Sequence, residues 1–213
     1  MDFVLDPVEA RVLGSLMEKE TTTPEYYPLS LNALVNACNQ KSNRDPVVSY
    51  DEDSVLDAIE RLKTKGLALT ITGAGSRVPK YAHRLSEKLN LGRREAAIIC
   101  ELMLRGPQTT GELRNHADRM HKFDDLEEVE AVLDRMGELV TKLPRRPGEK
   151  EQRYAHMLSG APPQAAAVEE ASEAAPPGPR GDRIAALESE VGQLRAELEE
   201  LKNQFAQFRK QFE

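Results

Sequence analysis

Apolar residues return every three or four positions in six stretches between Asp6 and Met136, and most of these open on a residue able to cap a helix. Asp6 precedes Pro7 and lies three residues before Glu9, a reciprocal capping pattern with proline at the first helical position. The helix it starts runs to about Glu20 with Val8, Val12, Leu16 and Met17 inward. A second helix begins near Ser30 and uses Leu31, Leu34, Val35 and Cys38. A third opens near Ser49, buries Val55, Ile59 and Leu62, and stops at Gly66 behind Lys63 and Lys65, whose charges suit a helix C-terminus. The pattern then turns β-rich: Leu67 to Thr72, a Gly73-Ala74-Gly75-Ser76 turn, and Arg77 to Leu85 predict a hairpin.

The same plan follows again. A helix from about Arg93 buries Ile98, Ile99, Leu102 and Met103 and ends at Gly106-Pro107. Thr109 with Glu112 caps a second through Leu113, Ala117 and Met120, and Asp124 with Glu127 caps a third through Leu126, Val129, Leu133 and Met136. Strands are expected at Leu139 to Leu143 and Arg153 to Leu158, around Pro147-Gly148. Lys80-Tyr81-Ala82-His83-Arg84-Leu85 returns as Arg153-Tyr154-Ala155-His156-Met157-Leu158, and the preceding helices match at an offset of 73 to 74 residues. Three helices and a hairpin, twice, is the order of a winged helix-turn-helix. The expected fold is therefore mainly α with small β hairpins, in two tandem winged-helix domains at residues 1–89 and 90–160. Modules of this size bury only roughly 60% of their chain surface, so the two are expected to pack on each other.

The run from Thr22-Thr23-Pro24-Glu25-Tyr26-Tyr27-Pro28 through Leu29-Ser30-Leu31-Asn32-Ala33-Leu34 to Asn43-Arg44-Asp45-Pro46-Val47 closely resembles the signature of the YceH family of bacterial proteins. Leu104-Arg105-Gly106-Pro107-Gln108-Thr109-Thr110-Gly111-Glu112-Leu113-Arg114 is similar to that family's second block. The likeness covers roughly residues 3 to 160 and implies two tandem winged-helix domains. It implies no activity and carries over no catalytic or binding residues.

Beyond it, residues 161–181 form an Ala/Pro-rich stretch that reads as a flexible linker. From residue 182 a heptad pattern takes over: Ile184, Leu187, Val191, Leu194, Leu198, Leu201, Phe205, Phe208 and Phe212 alternate at spacings of three and four. Glu190 with Arg195 and Glu197 with Lys202 pair across a parallel two-stranded interface, whereas an antiparallel pair brings Arg195 near Lys202. Residues 182–213 are thus expected to be a coiled-coil helix joining two copies of the chain; the alternative is a single amphipathic helix docked on its own globular body.

Composition narrows the function. Only 39% of the 213 residues are hydrophobic, Trp does not occur, and the net charge of -7 argues against a surface that binds polyanions everywhere. Residues 161–213 hold 10 acids against 6 bases, so more than half of that charge sits in the tail. No uncharged run is long enough to span a bilayer, and Met1-Asp2-Phe3-Val4-Leu5-Asp6 lacks the basic start of a signal peptide, so a cytoplasmic protein without membrane contact is expected. Cys38 and Cys100 stand alone, and His116 and His121, five apart, diverge by about 140° around a helix. Neither metal site, cofactor nor catalytic residue is expected, because no phosphate loop or nucleophile elbow occurs. His83 and His156 are read as structural histidines beside tyrosines, and Cys38 as core filler.

Winged helices read DNA with the third helix in the major groove and the wing on phosphate. Here the third helices are acidic, with Asp51, Glu52, Asp53, Asp57 and Glu60 in one and Asp124, Asp125, Glu127, Glu128, Glu130 and Asp134 in the other. The wings are basic: Arg77, Lys80 and Arg84 in the first, and Lys142, Arg145, Arg146, Lys150 and Arg153 in the second. These bases are candidate phosphate contacts, or solvated charges guarding edge strands. Asn32, Asn36, Asn39 and Asn43, with Lys41 and Arg44, form an amide stripe for a base or partner contact if the second helix continues that far. If the helix instead ends near Asn39, they cap it and order the Ser42–Pro46 turn. The expected function is a dimeric, non-enzymatic DNA contact of regulatory type; the alternative is an adaptor that binds another protein.

Overall fold

Asp6 caps the first helix as its spacing predicts. Its carboxylate accepts from the Val8 and Glu9 amides at 2.8 and 2.9 Å, and Glu9 returns the bond to the Asp6 amide at 2.8 Å. In this computed structural model, which describes residues 2–72, 78–145 and 148–162, the helix is α1, Pro7–Thr22. The Gly73–Ser76 turn, Arg77, Arg146, the linker beyond residue 162 and the whole heptad segment lie outside the described residues.

After a 3-10 turn at Pro24–Tyr26 come β1 (Leu29–Ser30), α2 (Leu31–Cys38), α3 (Glu52–Thr64), β2 (Ala68–Ile71) and β3 (Lys80–His83). The strands pair antiparallel in the order β1-β3-β2, with Leu29 opposite Tyr81 and Ala68 opposite His83. A one-turn helix, α4 (Leu85–Lys88), leads to α5 (Arg93–Arg105), α6 (Thr110–Ala117), α7 (Leu126–Met136), β4 (Val140–Lys142) and β5 (Tyr154–His156). Gln108 bridges Tyr154 where β1 stands in the first copy, so the element order repeats. The described chain is mainly helical, with seven α-helices and two small antiparallel sheets.

Three boundaries move. The third helices are capped by Asp51 and Asp125, whose carboxylates accept from the Ser54 and Glu128 amides at 2.8 Å, one or two residues later than the spacing suggests. Asp124 instead offers its amide to the Glu128 carboxylate. The helix α6 ends at Ala117 rather than reaching Met120, whose amide already folds back to the Ala117 carbonyl at 2.8 Å.

The larger surprise is α1, which is buried from Glu9 through Glu18 on every side. One face meets α2 and α3, and the opposite face meets α5. The approach to α5 is close: a Cβ on Gly14 would stand 2.9 Å from Leu104, and the Cys100 thiol donates to the Gly14 carbonyl at 3.3 Å. One hydrophobic cluster therefore runs through both copies, from Phe3 and Leu5 to Leu158. The Leu5 amide bonds the Leu158 carbonyl at 2.8 Å, tying the chain's start to the end of the second copy. All described residues fall in the first of the chain's two compact units, Met1–Val168. No helix among them is long and apolar enough to cross a membrane.

Candidate nucleic-acid interface

The first wing's described bases sit on and just after β3. Lys80 is half-buried, and Arg84 is exposed and pairs with Glu87 at 3.0 Å. In the second wing Lys142 is exposed with its ammonium 5.5 Å from the Tyr154 ring centroid, and Arg145 and Lys150 are exposed without an ion pair among the described residues. Arg153 differs. Its guanidinium bonds both oxygens of Glu112 at 2.6 and 3.2 Å and the Pro107 carbonyl at 3.1 Å, with Glu149 3.6 Å away. Burial opposes the Glu112 charge, but the Thr109 amide and Arg153 outweigh it and hold this carboxyl below the ordinary range. Glu112 is also the capping-box partner of Thr109 at the start of α6, so Arg153 fastens the approach to β5 to that helix.

The amide stripe breaks where α2 stops. Asn32 and Asn36 are exposed on the helix, the Asn36 amide donating to the Asn32 oxygen at 3.0 Å. The helix ends at Cys38, and Asn39 closes the following loop by donating to the Tyr50 carbonyl at 2.7 Å and accepting from its amide at 2.8 Å. Asn43 adopts φ 59° and its side chain accepts from Arg105. Lys41 is exposed.

Arg44 has to be withdrawn as a contact residue. Only 5% of it is exposed, because its guanidinium spans the Ala37 carbonyl at 2.8 Å and the Glu18 carboxylate at 2.6 Å. Arg11 does the same for the Cys38 carbonyl at 3.1 Å and the Pro46 carbonyl at 2.7 Å. The last carbonyls of a helix have no partner within it, and here two buried arginines supply one. Burial alone would raise the Glu18 carboxyl, but Arg44 holds it below the ordinary range.

This junction is the part that sequence reading missed. Glu101 of α5 is 4% exposed and accepts from Arg105 at 2.9 Å. Burial pushes its carboxyl up to about 7, Glu18 adds to the rise, and Arg105 and Arg44 oppose it. Gln108 donates to the Glu101 carbonyl at 3.0 Å, and its amide oxygen lies 2.6 Å from His116 Nδ1. The Asp45 amide bonds the Leu104 carbonyl at 2.9 Å, so the α2–α3 loop is fastened to both α1 and α5. The only sequence signal is polar residues on two helices whose apolar faces already account for one packing surface each.

His83 meets a tyrosine, though Tyr27 rather than its strand neighbour Tyr81. The rings stand edge-on at 6.4 Å, the His83 amide donates to the Tyr27 hydroxyl at 2.8 Å, and His83 Nε2 lies 2.8 Å from Glu20. Burial lowers His156 to about 4, so it is neutral at pH 7. Cys38 and Cys100 are both buried, which pushes Cys38 up to about 11 and Cys100 upward as well. Neither offers a thiolate at neutral pH. On the third helices Asp51, Glu52, Asp53, Asp57 and Glu60, and Asp124, Asp125, Glu127, Glu130 and Asp134, are exposed, whereas Glu128 is half-buried and pairs with Arg94 at 3.0 Å.

The described residues form a repeated helical unit with two small antiparallel sheets. In comparison with known proteins, the family described as "Protein of unknown function, DUF480" matches residues 5–149. The chain is 58% identical to a UPF0502 protein of Solibacter usitatus and 52% identical to one of Geobacter sulfurreducens, each across the full length of both proteins. A UPF0502 protein of Citrifermentans bemidjiense is 57% identical over 90% of each chain. The chain therefore belongs to the DUF480/UPF0502 family, the YceH-like group its two sequence blocks resemble.

Proposed function

We propose that the chain is a dimeric, non-enzymatic, cytoplasmic protein of two tandem winged helix-turn-helix domains, residues 1–89 and 90–160. It contacts DNA through its basic wings, and residues 182–213 pair two copies as a parallel coiled coil. The element order α1-β1-α2-α3-β2-β3 with its three-stranded sheet β1-β3-β2 supports the first winged helix, and the Gln108–Tyr154 bridge with β4 and β5 supports the second. The observation that carries the DNA reading is the second wing, where Lys142, Arg145 and Lys150 are exposed with no carboxylate paired to them among the described residues. Phosphate neutralisation by such bases supplies most non-specific affinity. Asn32, Asn36 and Lys41 add exposed donors on α2 and its loop.

A second reading rests on the acidic third helices, whose exposed carboxylates repel DNA and suit a basic protein partner. Isolation of the tagged full-length chain, with and without nuclease, separates the two. DNA recovered with the chain and lost on nuclease treatment supports the first reading. A protein partner retained through nuclease, with no DNA, supports the second and ends the first.

A further inference from the structure

A groove of about 500 Å3 opens where the end of α1 approaches the start of α5. Pro24, Leu91, Ala96 and Met120 line it, and the last three pack against the core, so part of its wall is apolar. Thr21, Ser86 and Gly92 also line it, together with two charged residues, one of each sign. Glu20 is 49% exposed at its side chain and is held at 2.8 Å by Nε2 of the buried His83, whose own amide is fixed to the Tyr27 hydroxyl. Its carboxylate is therefore positioned before any ligand arrives. Arg93, in the first turn of α5, is exposed and has no hydrogen bond or ion pair among the described residues. Glu95 lies over the Gly92 end of that helix and pairs with Arg135 at 3.6 Å, which leaves Arg93 as the group that can receive an anion.

Ligand sites are typically clefts of roughly 300–1,000 Å3 with apolar walls and a few placed polar groups. A multiply charged anion would meet the Glu20 carboxylate, and a simple cation would leave Arg93 unmatched. One carboxylate and one guanidinium are matched by a molecule that carries both opposite charges. We propose that this groove binds a small zwitterion with an apolar side chain, its ammonium on Glu20 and its carboxylate on Arg93. That is the chemistry of a free amino acid or a short peptide. It makes the seam between the two copies a ligand-sensing position, whatever the wings contact.

Calorimetric titration of the full-length chain tests this with L-leucine, L-methionine, L-phenylalanine and the dipeptide Leu-Leu, beside N-acetyl-leucine and leucinamide. Binding by a free amino acid or by the dipeptide supports the proposal and tells the two sources apart. Blocking either charged end is expected to weaken binding roughly tenfold or more, the loss of a charged hydrogen bond. Glu20→Gln and Arg93→Gln are each expected to weaken it by a similar factor with an unchanged melting temperature. Should a variant fail to fold, the blocked ligands on the unaltered chain still decide. No heat from any zwitterion at millimolar concentration, or equal binding of the blocked forms, overturns the proposal. Either result leaves the wing reading untouched, because no wing residue lines the groove.

Discussion

Glu101 is a carboxyl whose protonation the fold alters strongly. Its ordinary value is 4.5, and burial pushes it up to about 7 despite Arg105, so folding favours the neutral form. A carboxyl raised in the native state contributes nothing below its ordinary pKa and destabilises as pH rises through the native value. Glu101→Gln is therefore expected to stabilise the chain by about 1–3 kcal/mol at pH 8 and to change little at pH 4.5, measured by denaturant unfolding at both. Greater destabilisation at pH 8 than at pH 4.5 would contradict the burial argument. Arg44 works in the opposite sense. Removing it leaves the Glu18 carboxylate, whose side chain is 4% exposed, with only Lys19 at 3.4 Å as an ion partner, and strands the Ala37 carbonyl. Arg44→Ala is expected to cost about 3–5 kcal/mol in unfolding free energy. Normal stability combined with lost ligand or DNA retention would instead restore Arg44 as a contact residue. Sequence could not separate these outcomes. The spacing of Asn32, Asn36, Asn39 and Asn43 is the same whether α2 runs on or stops at Cys38, and only the long-range partners Arg11, Glu18 and Tyr50 decide it.

At the scale of elements, local chemistry was legible and second packing faces were not. The capping boxes at Asp6–Glu9 and Thr109–Glu112 sit where their spacing says, because both partners lie within one helical turn. The caps at Asp51 and Asp125 were placed too early, near Ser49 and at Asp124, because more than one residue able to cap precedes each helix and the backbone chooses one. On α1 the residues Arg11, Ser15 and Glu18 share one polar face that looks solvent-exposed and Glu9 lies on the other side, yet all four are buried. Their partners come from elsewhere: Lys65 reaches Glu9, Arg44 reaches Glu18, and Arg11 reaches the end of α2. Gly14 belongs to the same hidden face, where Leu104 and Met103 of α5 leave no room for a side chain. Gly14→Val is expected to destabilise by about 1–3 kcal/mol through overpacking, read from the denaturation midpoint. An unchanged midpoint would mean that α1 and α5 are not pressed together here.

Over the whole molecule, the repeat and its family were readable from the matching strand ends and the two blocks, and the packing of one copy on the other was expected from module size alone. Of the candidate contact residues, Lys80, Arg84, Lys142, Arg145 and Lys150 lie on, beside or between the sheet strands with Asn32, Asn36 and Lys41 on or after α2, Arg153 is engaged by Glu112, and Arg44 is buried. Arg77, Arg146 and the heptad residues from Ile184 to Phe212 lie outside the described residues, so dimerisation rests on the sequence pattern. Deleting residues 161–213 is expected to turn a dimer into a monomer in sedimentation velocity, and an unchanged mass would defeat that assignment.

The second wing is proposed to hold DNA by its phosphates. The most direct measurement is the salt dependence of DNA retention by the full-length chain beside its Arg145→Glu/Lys150→Glu variant. Each phosphate contact contributes roughly 0.9 to the magnitude of the slope of log affinity on log salt, so losing two is expected to flatten it by about two and to weaken binding at every salt concentration. Equal slopes and affinities for the two proteins, or no retention even at low salt, would contradict the account.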